Sequence, residues 1–300
     1  MEELPLLIFT IFLQAAIGIL LFTAIAGQFN KEATFKVPLV TAAGMAVVGV
    51  LASMLHLGRP FAAIHALAGF GTSWLSREIW FSAVFTGLAI FIVLLVLFRP
   101  SLKRLIKILI PLAALVGLID IYAMASSYSF ASVPVWKSSA TFIQFYATMI
   151  SVGAALFLGL SGKEAINMSR GVIVAACAAI GVQAVAMINY YLQLGENSSE
   201  AAQQSVTLLK SMNIELMLQW ILILAGTGLV LATLRTQKES AALDKAGTST
   251  ATKEAAIAVD SIVKMNGRIL LLGLSALTIG QIVGRYLFYA VMVTSKVGLN

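Results

Sequence analysis

Eight stretches of about twenty mostly apolar residues, each long enough to cross a bilayer as a helix, run through this chain. They cover roughly 5–27, 37–55, 79–98, 105–125, 140–160, 171–192, 214–234 and 269–293. Within each stretch the apolar side chains occupy every face, which suits lipid and neighbouring helices and not the one-sided stripe of a surface helix. The alternating segments of about ten residues that build a transmembrane barrel are absent. The expected fold is therefore all-α: an integral membrane bundle of eight transmembrane helices forming a single domain over residues 1–300. Composition closes the alternatives. Hydrophobic residues make up 60% of the 300 residues and charged ones 11%, against about 25% in soluble domains. Neither a water-soluble fold nor a disordered chain is compatible with that balance.

Lysine and arginine indicate the orientation. The connections after spans 1, 3, 5 and 7 carry Lys31, Lys36, Arg99, Lys103, Arg104, Lys107, Lys163, Arg170, Arg235, Lys238, Lys245, Lys253, Lys264 and Arg268. The other side carries Arg59, Arg77, Lys137, Lys210 and Lys296, and Arg285 lies within span 8. Basic residues mark the cytoplasmic side, so both termini are expected to be extracytoplasmic. The first run is expected to be retained, because Glu2 and Glu3 precede it where a signal peptide would carry basic residues. Residues 235–267 form a polar cytoplasmic linker, of which 236–253 reads as a flexible excursion and 255–263 as a surface helix. On the other side, Asn197 to Glu200 has capping-box spacing ahead of a helical stretch over 201–210. The net charge of +7 is spread over short loops, so no nucleic-acid partner is implied.

Much chemistry is excluded by counting. One cysteine, Cys177, and two histidines, His56 and His65, leave no disulfide framework and no all-cysteine metal site within the chain. Cys177 reads as a packing residue. No phosphate-binding G-x-x-x-x-G-K-[ST] run occurs. No metal site is expected.

Ionisable groups inside spans are costly and point to function. Here they are Glu78, Asp120, Glu215 and Arg285, with Gln14, Gln144, Gln183, Asn189, Gln219 and Gln281 adding uncharged polarity. The densest constellation runs from Ser53 through His56, Gly58, Arg59 and Pro60 to Ser73, Trp74, Arg77 and Glu78. Gly58 and Pro60 end span 2 just after His56. Glu78 is expected on the first turn of span 3, where the helix dipole favours its charge. An imidazole and a carboxylate at one interface are suited to taking protons from a hydroxyl. The plainer alternatives are that His56 caps the last carbonyls of span 2, that His65 is solvated, and that Glu78 is an exposed interfacial charge. Trp74, Trp80 and Trp136 read as interfacial anchors. The Gly280–Gly284 spacing reads as close helix packing, and Arg285 as an ion-pair partner of Asp120 or a side chain reaching the headgroups.

The element Ser53-Met-Leu-His56-Leu-Gly58, followed by Leu75-Ser-Arg-Glu78-Ile79, resembles the membrane anchor subunit of dimethyl sulfoxide reductase. Pro5 to Thr10 with Gln14, Val133 to Ser138, and Gly284-Arg-Tyr-Leu-Phe-Tyr289 are similar to that family too. The resemblance implies menaquinol oxidation on the outer side of a prokaryotic cytoplasmic membrane. Electrons then pass to a partner iron–sulfur subunit and on to a molybdopterin catalytic subunit. It implies no haem in this chain, with the clusters and molybdopterin held only by partners. On that resemblance Glu78 accepts a quinol proton, His56 bonds the other hydroxyl, and Gly58 and Arg59 belong to the menaquinol site. Arg59, Arg77, Trp74 and Trp136 are expected at the docking rim of the iron–sulfur subunit.

Two other readings compete. An anchor of the polysulfide-reductase type shares the architecture, but the S-M-L-H-L-G element favours the first family. A small-solute transporter would want an internal repeat and interrupted spans in matching halves, and neither is visible.

Overall fold

The computed structural model describes residues 4–55, 67–165, 168–194, 196, 199–246 and 253–294, with side chains described in these except at 163 and 234–266. Every long element among them is a helix. The spans are α1 (Leu4–Phe29), α2 (Lys36–Leu55), α3 (Trp74–Phe98), α4 (Lys103–Ser129), α5 (Ser139–Ser161) and α6 (Ser169–Leu194). A short α7 (Glu200–Ser211) precedes the last two, α8 (Asn213–Ala246) and α9 (Lys253–Ala290). Eight of these nine helices contain a segment long and apolar enough to cross a membrane, in register with the eight apolar runs. The protein is a multi-pass membrane protein.

The first helix lies at the centre, packed against α2, α4, α5 and α9. Its residues Leu13 through Leu20 are all buried. Without a strong apolar driving force between helices in lipid, close backbone approach supplies the packing. Gly18 and Gly153 provide it: a Cβ on Gly18 would collide with the Met149 carbonyl, and one on Gly153 would collide with the backbone of Gly18. The α8–α9 hairpin uses the same device. A Cβ on Gly280 would lie 2.7 Å from Ile223 and 3.0 Å from the Gln219 carbonyl, as the Gly280–Gly284 spacing implied. Cys177 packs beside the small cluster of Ala155, Ile173, Val230 and Leu274, in the packing role expected of it.

The end of the bundle that holds the start of α1 also holds the end of α9, since Tyr289 reaches Thr10. It is termed the terminal end below. There Val133 leads into a single 3-10 turn, Pro134–Trp136, before Ser138 caps α5 by accepting from the Ala140 N–H at 3.2 Å.

Several expectations are corrected. Residues 236–246 continue α8 instead of forming a flexible excursion; the stretch is rich in Ala, Leu, Gln, Lys and Glu, all strong helix formers, and lacks Gly or Pro before the helix ends. The end of the linker is helical from Lys253, so the helix expected over 255–263 is present and runs on into the last span. The cap of α7 is Ser199, which accepts from the Ala202 N–H at 3.3 Å, and not Asn197, which lies outside the described residues. Trp136 is not an interfacial anchor or a rim residue. It is buried, lies flat on Phe288 with centroids 5.0 Å apart, and donates from Nε1 to the Phe288 carbonyl at 2.9 Å. That bond satisfies its one polar atom, which is what a Trp requires to enter a core.

Candidate functional site at the α3–α4 seam

Glu78 and Ser82 are four residues apart and therefore share a face of α3; Asp120 and Ser127, two turns apart, share a face of α4. These faces meet, because α3 and α4 pack along their length. The result is two serine–carboxyl rungs across one seam. In the rung nearer the terminal end, the Glu78 carboxyl interacts with the Ser127 hydroxyl, whose oxygen also lies 3.1 Å from the Ala123 carbonyl. In the deeper rung, the Ser82 hydroxyl lies 3.0 Å from both oxygens of Asp120. Asp120 is fully buried and Glu78 is 4% exposed. The two carboxyls are close enough to feel each other electrostatically.

Glu78 is thus neither an exposed interfacial charge nor a first-turn residue. The helix starts at Trp74, capped by Ser73, which accepts from the Ser76 N–H at 3.4 Å. That earlier start carries Glu78 into the second turn and below the surface. The approach to α3 is fastened. Arg77 donates to the carbonyls of Phe70 and Gly71 at 2.9 and 2.8 Å, with its guanidinium over Trp74. Trp80 donates to the Leu67 carbonyl at 3.0 Å. Arg77 and Trp74 therefore sit at the start of α3, the end nearer Glu78, with the guanidinium committed to these carbonyls. His56, Gly58 and Arg59, and also Pro60 and His65, lie outside the described residues, in the sequence between the end of α2 and this fastened segment.

Behind the rungs stands a polar cluster that sequence reasoning did not assemble. The hydroxyls of Tyr128 and Tyr289 lie 2.8 Å apart, and Tyr289 also lies 3.3 Å from Thr10 Oγ1. Both tyrosines interact electrostatically with Glu78 and with Arg285. Arg285 is 1% exposed. It donates from Nη2 to Gln14 Oε1 at 3.0 Å and stacks 3.7 Å above the Phe145 ring. Neither expected role of Arg285 holds: Asp120 is held by Ser82, and the guanidinium is buried in the bundle instead of reaching headgroups. Its Nε and Nη1 have no hydrogen-bond partner among the described residues. The stacked Phe145 ring offers its negative face to the charge, and Gln14, itself donating to Met124 Sδ at 3.6 Å, supplies the acceptor. Tyr128 and Tyr289 lay in plain view in the sequence, and Ser82 could have been found from its i+4 spacing to Glu78. Only tertiary packing joins Tyr128 to Tyr289.

A second polar region lies between α5, α6 and α9. Gln281 and Gln183 exchange amide hydrogen bonds at 2.8 and 3.3 Å, and Thr148 donates to Gln281 Oε1 at 3.1 Å. These groups satisfy one another, as buried amides must. Among the described residues no group of three or more His, Cys, Asp or Glu side chains could hold a metal ion.

Chemically, the seam offers carboxyls and hydroxyls near one end of a membrane bundle. It suits an apolar molecule whose polar end gives up protons. Residues 1–291 match the family described as DMSO reductase anchor subunit (DmsC). The sequence is 30% identical over 208 residues to the C subunit of the anaerobic dimethyl sulfoxide reductase of Haemophilus influenzae, an overlap of 68% of this sequence and 74% of that protein. It is 33% identical over 199 residues to the corresponding C subunit of Escherichia coli, with overlaps of 61% and 68%. It is 25% identical over 303 residues to the anaerobic dimethyl sulfoxide reductase subunit YnfH of Escherichia coli, with overlaps of 98% and 96%. No solved structure matches the sequence.

Proposed function

Since the protein belongs to the DMSO reductase anchor subunit family, we propose that it oxidises menaquinol at the Glu78 end of the α3–α4 seam and anchors the subunits that receive the electrons. The observation that carries this reading is the burial of Glu78 close to the terminal end, beside Ser127 and in electrostatic interaction with Tyr128 and Tyr289. Among the described residues no lysine or arginine pairs with it. A carboxylate held that way is available to a proton donor.

Quinol oxidation releases two electrons and two protons. Glu78 accepts a proton from one ring hydroxyl, and His56, with Gly58 and Arg59 shaping its turn, bonds the other. The quinol ring lies at the Glu78 end of the seam and the bilayer takes the tail. The electrons leave for iron–sulfur clusters in a partner subunit and from there reach a molybdopterin catalytic subunit. Both partners sit against the terminal end, which faces out of the cytoplasm in the cytoplasmic membrane of a prokaryote. Protons released there do not cross the membrane.

The test is Glu78→Gln in the assembled complex. The amide keeps the size and hydrogen-bonding capacity of the side chain and loses the proton-accepting charge. Quinol-dependent reduction is expected to fall about 10²-fold or more, as for loss of a general base, while the complex still assembles. Reduction driven by an artificial donor delivered directly to the partner subunits is expected to be unchanged. Normal quinol-dependent turnover in this variant overturns the assignment.

A further inference from the structure

We propose that Asp120 is the second proton-holding group of the Glu78 site, linked to it through the Ser82 hydroxyl. The inference rests on the reading of Glu78 as the group that takes protons from quinol. A quinol gives up two protons, and one carboxylate has room for one. Asp120 is a fully buried carboxyl inside a span, a costly residue that anchoring alone does not need. Its side-chain hydrogen bond comes from Ser82, at 3.0 Å to both oxygens. Ser82 lies on the face of α3 that carries Glu78, about one helical pitch of 5.4 Å deeper. In this proposal the hydroxyl gives its proton to Asp120, to which it is bonded, and takes one in exchange from the Glu78 side of the same helix face.

The balance is complete. The quinol becomes quinone, and its two electrons pass to the iron–sulfur acceptor of the partner subunit. The first proton moves to Glu78 and then, by exchange through the Ser82 hydroxyl, to Asp120. Glu78 is thereby free for the second. Both protons then leave by way of Glu78 at the terminal end. The titratable groups that interact with Glu78 are Tyr128 on α4 and Tyr289 on α9; Arg285 on α9 interacts with both tyrosines, Thr10 on α1 lies against Tyr289, and Gln14 on α1 against Arg285. Among the described residues the hydroxyl partners of the two carboxyls are Ser127 and Ser82, and no guanidinium or ammonium interacts with either carboxyl.

The experiment uses the purified complex with Glu78→Gln, Asp120→Asn and Ser82→Ala. Three readouts are taken: quinol-dependent turnover, binding of a fluorescent quinol analogue, and the infrared difference spectrum on adding menaquinol. Two carboxylic acid C=O bands are expected in the unaltered complex. Asp120→Asn should remove one band and slow turnover by about tenfold or more with analogue binding intact. Ser82→Ala should keep Asp120 yet delay the appearance of that band. Unaltered turnover with both bands in Asp120→Asn overturns the inference, as does loss of turnover that merely follows loss of analogue binding. If Glu78→Gln is inactive while Asp120→Asn is normal, only the role of Asp120 falls. Normal turnover in Glu78→Gln removes the underlying reading instead.

Discussion

Arg285 on α9 donates to Gln14 on α1 across 3.0 Å, a pair separated by 271 residues of sequence. The contact ties the last span to the central one. It also gives a buried guanidinium its acceptor, since Nε and Nη1 have none among the described residues. A cation this deep persists only with a polar partner and a ring face beneath it, and Gln14 and Phe145 are those two.

Removing the acceptor should therefore destabilise the fold. Gln14→Leu leaves Arg285 buried without this hydrogen bond, a loss of about 1.5–3 kcal/mol for a bond to a charged group. Thermal unfolding of the detergent-solubilised protein should show a clear drop in midpoint. Gln14→Asn, which keeps the amide on a shorter stem, should recover only part of the loss. A midpoint unaffected by Gln14→Leu contradicts the role given to this bond.

Replacement of Gly153 by valine should be worse. The backbones of α1 and α5 touch there, and neither is the flexible end of a side chain. Overpacking of this kind costs about 1–3 kcal/mol, occasionally more, and here it would push the central helix off its neighbour. Accumulation of folded protein in membranes should fall sharply. Gly159→Val on the same helix, where an added Cβ meets nothing within 4 Å, is the matched control and should accumulate normally.

Orientation is open to direct chemical mapping. In a Cys177→Ser background, single cysteines replace Lys137 and Gln203 at the terminal end or Lys31 and Arg99 at the opposite end, all exposed positions. A membrane-impermeant maleimide applied to intact cells should label the first two and spare the second two. Labelling of the opposite pair would invert the topology and move the proposed quinol site to the cytoplasmic side.

The eight spans were legible because the signal is local: a run of about twenty apolar residues is read against a fixed hydrocarbon thickness, and the ends of the helices fell close to those of the runs. Glu78 was legible as a candidate because a carboxylate beside such a run is rare. Its depth was not, because the start of α3 depends on the Ser73 cap and on Arg77 and Trp80 fastening the preceding turn. Trp136 was misjudged for a related reason. A tryptophan near a boundary looks like an anchor until a partner such as Phe288 and its carbonyl are found to cover it. Arg285 was matched to Asp120 by charge alone, whereas Ser82, one turn from Glu78, holds that carboxyl.

The amino-acid sequence by itself determined that this protein is a bundle of membrane-spanning helices, how many there are, and which few polar groups are carried into the bilayer, since each of these follows from residues close together along the chain. Which of those groups meet was decided only by the tertiary structure. A helix rotated by one residue turns its side chains through about a quarter of a circle, and that rotation is set by contacts such as Gly18 on Gly153 and Trp136 on Phe288, between segments that no local pattern connects.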